Sequence, residues 1–393
     1  MTKQHDNDMP IRHWAHGCAG TNADAHWATE AADASLVIGE ESPELDRLGA
    51  YVMDAVSTLR ARGFLSMLVP AELGGGGASY ADTAMALSVL ARGCPSAALT
   101  LSMHTHLVAA QVWRHHRALP APVLGRVAND QVMLVSTGAG DWVSSNGTAV
   151  KVEGGYRVSA RKSPSSGAPS GDIMVSSARW LDEAEGPQVI HFSAPFSADG
   201  VSIVETWDTM GMRATGSHTV VLDDVFVPDA AVSLVRPADV WHPIWNVVMG
   251  AAMPLIMAVY VGVAEEAVAR AVEIATKRRD SEGTATTVGR MLNHLHAAQD
   301  VVGAMVASAE DLHFDNTTEH AAAVLSRKTV ATEHLLAATT AALEAAGGAG
   351  FSKAAGIERF HRDVHGAMYH PLPTAKQELF TGRVALGMDP VPA

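Results

Sequence analysis

The spacing of apolar residues changes period twice along this chain, and that double change restricts the fold more than any other feature. Within 42–128, Leu45, Leu48, Val52, Ala55 and Leu59 recur at three- and four-residue steps, while Asp46 and Arg47 lie on the opposite face. Near Gln131 the period falls to two. Val150, Val152, Tyr156 and Val158 alternate with polar residues around Gly154 and Gly155, which predicts a β-hairpin with a two-residue turn. Further strands are predicted at 173–177, 189–193, 201–205 and 220–227. After Pro243 the helical period returns: Ala264, Val268, Ala271 and Ala275 make an apolar seam, and Glu266 and Arg270 form an i,i+4 pair on the other side. A chain of 393 residues, 48% hydrophobic, can bury the cores of two or three domains. The expected organisation is therefore α+β and multidomain: a mobile arm over 1–36, a helical domain over 37–130, an antiparallel β-barrel domain over 131–240 and a helical bundle over 241–393.

Charge and composition exclude several functions. A formal charge of −14 and a pI near 5.7 argue against nucleic acid or an anionic membrane surface as a partner. The two cysteines, Cys18 and Cys94, give no disulfide framework, so a reducing cytoplasm is expected. Cys94 reads as a small buried hydrophobe. The first residues show no basic stretch followed by an apolar run, and no signal peptide is expected. The histidines there, His5, His13, His16 and His26, match no metal-ligand spacing, so no metal is expected. The run 247–264 is apolar enough to raise a membrane question, but Gly250 and Pro254 interrupt it, and a helix inside a soluble bundle is preferred. The four glycines of the run 68–77 (Leu-Val-Pro-Ala-Glu-Leu-Gly-Gly-Gly-Gly) lack a following Lys-Ser/Thr, so they predict a flexible turn rather than a phosphate loop.

One loop looks built to grip a ligand. Segment 207–228 (Trp-Asp-Thr-Met-Gly-Met-Arg-Ala-Thr-Gly-Ser-His-Thr-Val-Val-Leu-Asp-Asp-Val-Phe-Val-Pro) gathers Arg213, Thr215 and Ser217 between Gly211 and Gly216, then enters an apolar strand ending at Pro228. The segment resembles the middle-domain signature of the acyl-CoA dehydrogenase superfamily of flavoenzymes. Residues 68–75 are similar to that family's first-domain motif, and Gly138-Ala139-Gly140 to the Gly-Ala-Gly of its flavin-side loop. Arg278 falls where the family places an arginine that grips FAD pyrophosphate across a subunit interface. Residues 346–351 (Ala-Gly-Gly-Ala-Gly-Phe), ahead of Arg362-Asp363, resemble the segment that packs on the ADP portion, through Gly347, Gly348 and Gly350. Chemistry agrees, since close approach to a phosphate needs glycine and a planar cation suits it. No β-α-β pattern holds these glycines, so a Rossmann site is not implied.

The resemblance implies FAD, an acyl thioester substrate held by Arg213, Thr215, Ser217 and Trp142, and a homotetramer or dimer formed through the bundle. An electron-transfer flavoprotein or a flavin reductase is the implied partner. Departures from the pattern are as informative. Val135-Ser136-Thr137 replaces the usual Thr-Glu-Pro, Asp141 replaces a serine, and Pro164-Ser165-Ser166 replaces Trp-x-Thr/Ser, keeping a hydroxyl at Ser166. The two positions for the catalytic glutamate fall on Pro371 and Met253, and neither side chain accepts a proton. The run 362–370 (Arg-Asp-Val-His-Gly-Ala-Met-Tyr-His) instead resembles a branch that binds reduced flavin and hydroxylates substrates with oxygen. In that branch a serine near flavin N5 and histidines around the ring act at the site. Ser166, His370 and one histidine of the 103–106 run (Met-His-Thr-His), His104 foremost, would fill those roles, with FMN as an alternative cofactor. The bland readings stay open beside them: His370 as a helix cap, Ser166 as a turn residue, Trp142 as a strand-edge core residue, Arg278 as a solvated helix-end charge. Three functions follow: an acyl thioester dehydrogenase, a reduced-flavin monooxygenase, or a non-catalytic subunit of the same fold.

Overall fold

The computed structural model describes residues 25–392, Ala139 excepted. His5, His13, His16 and Cys18 lie outside the described residues. Helix α1 (Ala25–Gly39) starts inside the stretch expected to be an arm, so the expectation is corrected for 25–36. Trp27, Ala31, Ala34 and Ile38 recur at 4, 3 and 4 steps and are buried, giving one continuous face that binds the helix to the domain. Helices α2 (Ser42–Leu48), α3 (Met53–Ala61), α4 (Tyr80–Gly93), α5 (Pro95–His115) and α6 (Val123–Asp130) complete the first domain. Ser79 caps α4 by accepting the Asp82 N–H, and Pro95 opens α5 where no N–H is needed. The glycine run is packed rather than loose. A Cβ on Gly76 would lie 2.4 Å from the Trp27 ring, and one on Gly75 would lie 2.2 Å from the Val69 carbonyl oxygen.

Strands β1 (Leu134–Ser136), β2 (Thr148–Val152), β3 (Gly155–Ser165), β4 (Ile173–Asp182), β5 (Gly186–Pro195), β6 (Val201–Val204), β7 (His218–Pro228) and β8 (Val232–Pro237) form one sheet in the order β6-β7-β3-β2-β4-β5-β8, with β1 on β4. The expected antiparallel barrel is corrected here: β1 and β2 both run parallel to β4, at residues 173–175 and 179–180. β4 is long enough to take the two in succession, which frees the 137–147 loop to turn between them. The hairpin turn is Glu153-Gly154, one residue earlier than expected, because Val152 already pairs with Gly155.

Helices α7 (Ile244–Ala275), α8 (Glu282–Ala307), α9 (Thr318–Ala346), α10 (Ile357–Val364) and α11 (Thr374–Ala385) form the C-terminal bundle. By length and composition α7 could cross a membrane, but 94% of its most apolar window is covered by the protein itself. Pro254 inside it removes one helix bond at a cost of about 3 kcal/mol. Its neighbours Leu255 and Ile256 are buried, at about 1.5–3 kcal/mol each, which offsets that cost. At Gly262 a Cβ would sit 1.9 Å from the Ser88 carbonyl oxygen, so glycine is what lets α4 lie against α7. The first domain and the bundle therefore share one apolar core running from Trp27 to Phe380, and the sheet has its own.

Candidate functional site

The β3–β7 pairing builds the first half of the site. Ser165 lies opposite His218, so the residue after β3 and the residue before β7 meet. Ser166 Oγ is 2.8 Å from Ser217 Oγ, which is 2.7 Å from Thr215 Oγ1, and Thr215 donates to the Met212 carbonyl at 3.0 Å. Thr215 and Ser217 are buried and Ser166 is half-buried, so a relay of hydroxyls runs from the interior outward to Ser166. The Gly167 N–H donates to the Thr215 carbonyl. A Cβ on Gly167 would come within 2.6 Å of Met133 and 2.9 Å of Thr100. Beside it two hydroxyls, Thr100 Oγ1 and Tyr51 OH, are buried without a hydrogen bond among the described residues. Groups of this kind are where a ligand or water would bond, although the Ser170 side chain also acts on the Tyr51 hydroxyl. Burial pushes the Tyr51 phenol up to about 12.

The second half is the turn between α10 and α11. His370 Nε2 lies 2.8 Å from the hydroxyl of Tyr260 on α7. Lys328 on α9 donates its ammonium to the carbonyls of His370 and Leu372, at 3.1 and 3.3 Å, and so holds the turn from beneath. Burial, with Lys328 and His106 nearby, pushes the His370 imidazole down to about 3. The ring is neutral at ordinary pH. Burial also lowers Lys328, to about 8.

Helix α5 joins the halves, carrying Thr100 toward Gly167 and, about 9 Å further along its axis, His106 toward His370. Of the two histidines on this helix, the sequence-based choice of His104 is corrected. Its Nε2 lies 2.8 Å from the Leu65 carbonyl and its Nδ1 accepts the Leu134 N–H at 2.9 Å. Both nitrogens are spent on backbone, and none remains for a ligand. Among the described residues His106 bonds only the Ser102 carbonyl, through Nδ1 at 3.3 Å.

Arg213 is likewise committed elsewhere. Its guanidinium donates to the Asp46 carbonyl at 2.8 Å and the Thr209 carbonyl at 2.7 Å, tying the loop to α2. Asp46 also receives both nitrogens of the Arg362 fork, and Asp363 accepts the Met212 N–H. A Cβ on Gly211 would lie 2.2 Å from the Arg362 carbonyl. The signature loop and the Arg362-Asp363 pair are thus two sides of one interdomain joint. Burial pushes the Asp363 carboxyl up to about 6.

Trp142 packs 4.6 Å from the Trp245 ring, and that second ring in turn meets the buried Arg236 at 5.3 Å and the half-buried His191 at 5.6 Å. Gly138 has a positive φ of 79°, and the Asp141 that follows it forms a buried ion pair with Lys162, itself bonded to Ser145 and the Asn146 carbonyl. Asp141 therefore holds the 137–147 loop to β3 instead of presenting a hydroxyl. Gly140 is exposed. Arg278 and the glycine segment do converge: Arg278 donates to the Ala345 carbonyl at 2.7 Å, and a Cβ on Gly347 would lie 2.8 Å from its guanidinium. Ser281, Thr284, Thr287 and Glu344 line an open cavity of about 270 Å³ around it. Gly348 faces open space, whereas Gly350 is buried against the Leu343 carbonyl. Met253 is buried in α7 and Pro371 is half-buried beside His370, so neither glutamate position carries an acid. Among the described residues no group of three or more His, Cys, Asp or Glu side chains is arranged for a metal ion.

Sequence reasoning passed over Tyr260, Lys328 and the Asp141–Lys162 pair. A signal existed for the first. Tyr260 is the single side chain with a hydrogen-bonding oxygen or nitrogen in the apolar run 247–264, and a buried tyrosine hydroxyl wants a partner.

Known proteins fit this arrangement. The family model described as the acyl-CoA dehydrogenase N-terminal domain matches residues 29–117, and the one described as the acyl-CoA dehydrogenase C-terminal domain matches 255–373. The chain is 31% identical to the amino sugar nitrososynthase DnmZ of Streptomyces peucetius over 376 residues, 88% of this chain and 89% of the relative. It is 27% identical to the putative acyl-CoA dehydrogenase YdbM of Bacillus subtilis (strain 168), over 84% of this chain and 89% of that one. Among solved structures, KijD3 in complex with FMN and dTDP-3-amino-2,3,6-trideoxy-4-keto-3-methyl-D-glucose superposes with a TM-score of 0.86 at 26% identity, covering 94% of this chain and 95% of that chain. Matched at both ends by the family's domains and at nearly full length by such a relative, the chain belongs to the acyl-CoA dehydrogenase family of flavin-dependent oxidoreductases.

Proposed function

We propose that this protein is a monooxygenase that uses reduced flavin and O2 to oxidise the nitrogen of an amine, with an amino sugar as the leading substrate class. The observation that carries the reading is His370, bonded to Tyr260, beside a Pro371 that takes the place of the dehydrogenase glutamate. α,β-Dehydrogenation needs a carboxylate to remove a proton, and neither Pro371 nor Met253 can do so. The acyl thioester expected from the family default therefore gives way to the oxygenase. The nitrososynthase relative and the FMN- and aminosugar-bound neighbour support the same choice.

The residues fit a flavin. Ser166 ends a hydroxyl relay, Gly167 admits a close approach, and Thr100 and Tyr51 offer unpaired hydroxyls. Flavin, when bound and reduced, would supply the activation of oxygen. Ser166 would orient the ring, His370 would donate a hydrogen bond into the cleft, and the apolar α7 wall would exclude water. Trp142 would face the substrate side, with Thr215 and Ser217 acting through Ser166 rather than on the substrate. Arg278 with Gly347, Gly348 and Gly350 favours FAD, since a cation and glycines suit its diphosphate; FMN is the alternative. A flavin reductase is the proposed partner, and a homo-oligomer built through the bundle the proposed assembly.

The test supplies the purified protein with FMN or FAD, a flavin reductase, NADH and 18O2, with a nucleotide-linked amino sugar as substrate. One 18O atom on the product nitrogen is expected. Anaerobic bleaching of bound flavin by an acyl-CoA, without oxygen incorporation into the amine, would return the protein to the dehydrogenases. Failure to bind flavin in either redox state would favour a non-catalytic role.

A further inference from the structure

We propose that Tyr260 is a positioning residue that locks His370 as its Nδ1–H tautomer, so that the histidine meets the contents of the cleft as a neutral hydrogen-bond donor and not as a base. Its use in catalysis rests on the oxygenase reading; the tautomer rests on the geometry and burial of the Tyr260–His370 pair.

The steps are few. Tyr260 is buried, and His370 Nε2, at 2.8 Å, is its one hydrogen-bond partner among the described residues. A phenol oxygen carries one hydrogen. If Nε2 were protonated and donated to the tyrosine, that hydrogen would point at no acceptor, and an unsatisfied buried donor costs about 1–3 kcal/mol. With Tyr260 donating, both groups are satisfied. The phenol does not ionise to escape this choice, because burial and the nearby Asp363 raise it well above its usual value. The imidazole does not escape by taking a second proton, because burial, Lys328 and His106 all disfavour its cation. Nε2 is therefore unprotonated and Nδ1 carries the hydrogen. Nδ1 makes no hydrogen bond among the described residues, which leaves it as the uncommitted polar atom of the ring.

The neighbour is fixed in the opposite sense. His106 Nδ1 faces the Ser102 carbonyl, an acceptor, so that nitrogen is protonated and Nε2 is left as a lone pair. His370 thus offers a donor and His106 an acceptor, from two elements that feel each other's charge. A substrate group able both to accept and to donate, as an amine nitrogen with its hydrogens can, matches that pair. Lys328 keeps the His370 backbone in place, and Gly366 gives the tyrosine room, since a Cβ there would lie 2.5 Å from its hydroxyl.

The experiment reads the tautomer directly. Full-length protein labelled with 15N-histidine is measured by long-range 1H–15N correlation between pH 8 and 5.5, without substrate. The His370 signals are identified by their loss in His370→Asn. We expect Nδ1 in the protonated range and Nε2 in the unprotonated range throughout, and inversion of that pattern in Tyr260→Phe, because free imidazole prefers its proton on Nε2. A wild-type His370 protonated on Nε2, or an unchanged pattern in Tyr260→Phe, would overturn the proposal. The wild-type spectrum decides the tautomer even if Tyr260→Phe folds poorly. In turnover with reduced flavin, Tyr260→Phe should send a several-fold larger share of the oxygen to hydrogen peroxide with KM little changed. An Nδ1–H tautomer in a protein that consumes no oxygen would sustain the tautomer and sink only the oxygenase reading.

Discussion

Two histidines on neighbouring elements show how little a residue's identity says about its work. His104 and His370 are both shifted down by burial, to about 4 and about 3, yet one has no free nitrogen and the other has one. The difference predicts opposite outcomes for one kind of substitution. His104→Ala leaves the Leu65 carbonyl and the Leu134 N–H unpaired inside the core, and should cost about 2–5 kcal/mol of stability. His370→Ala should abolish turnover while leaving flavin affinity nearly unchanged, at a stability cost of only about 1–3 kcal/mol for the Tyr260 hydroxyl that loses its partner. Calorimetry on both variants, beside oxygen uptake, checks the pair. Unaltered turnover in His370→Ala would remove it from the mechanism. The sequence could not separate the two, because both ring nitrogens of His104 are claimed by residues 39 and 30 positions away.

At the scale of elements, the signature loop 207–217 is a joint before it is a binding surface. Arg213 fastens it to α2, Arg362 fastens Asp46 to it from α10, and Gly211 lets Arg362 lie against it. Arg213→Ala should lower stability by about 1–3 kcal/mol, the range for losing a charged donor to backbone carbonyls, and leave KM for the amine within about two-fold. Urea melts and steady-state kinetics measure the two effects. A KM raised ten-fold or more in a protein of unchanged stability would restore the ligand-gripping role expected from the sequence. The expectation was reasonable: a cation and two hydroxyls between glycines look alike whether they hold a ligand or a neighbouring helix. Ser217 differs from Arg213 because the β3–β7 register brings it to Ser166, and Thr215 bonds Ser217 from behind.

At the scale of the molecule, the first domain and the bundle share a core that also takes in Leu134 and Ile173, while the rest of the sheet has a core of its own. The two halves of the candidate site draw one on each, since Ser166 follows β3 and His370 lies between α10 and α11. Arg278 and Gly347 form a second, open feature at the end of α7. If that feature takes the diphosphate of FAD, Arg278→Ala should weaken FAD about ten-fold or more and leave FMN unchanged, because only FAD carries the ADP portion. Fluorescence titration with each flavin tests this. Equal loss for both flavins would assign Arg278 to the fold. Phe351, Tyr369, Leu379 and Leu386 of the C-terminal region are exposed.

The sequence by itself determined the order of helical, β and helical parts, the family, and the absence of glutamate at Pro371 and Met253. Apolar periodicity and short glycine motifs are local properties, and they survive without knowledge of partners. Only the tertiary structure decided which histidine is free, that Arg213 is a tie, that two strands run parallel to β4, and that α1 belongs to the folded body. The pairing of Tyr260 with His370 spans 110 residues, and that of Arg362 with Asp46 spans 316. No local pattern encodes such contacts, because they exist only once α7 is buried by the helices around it, and a side chain's role is set by what its polar atoms have left to bond.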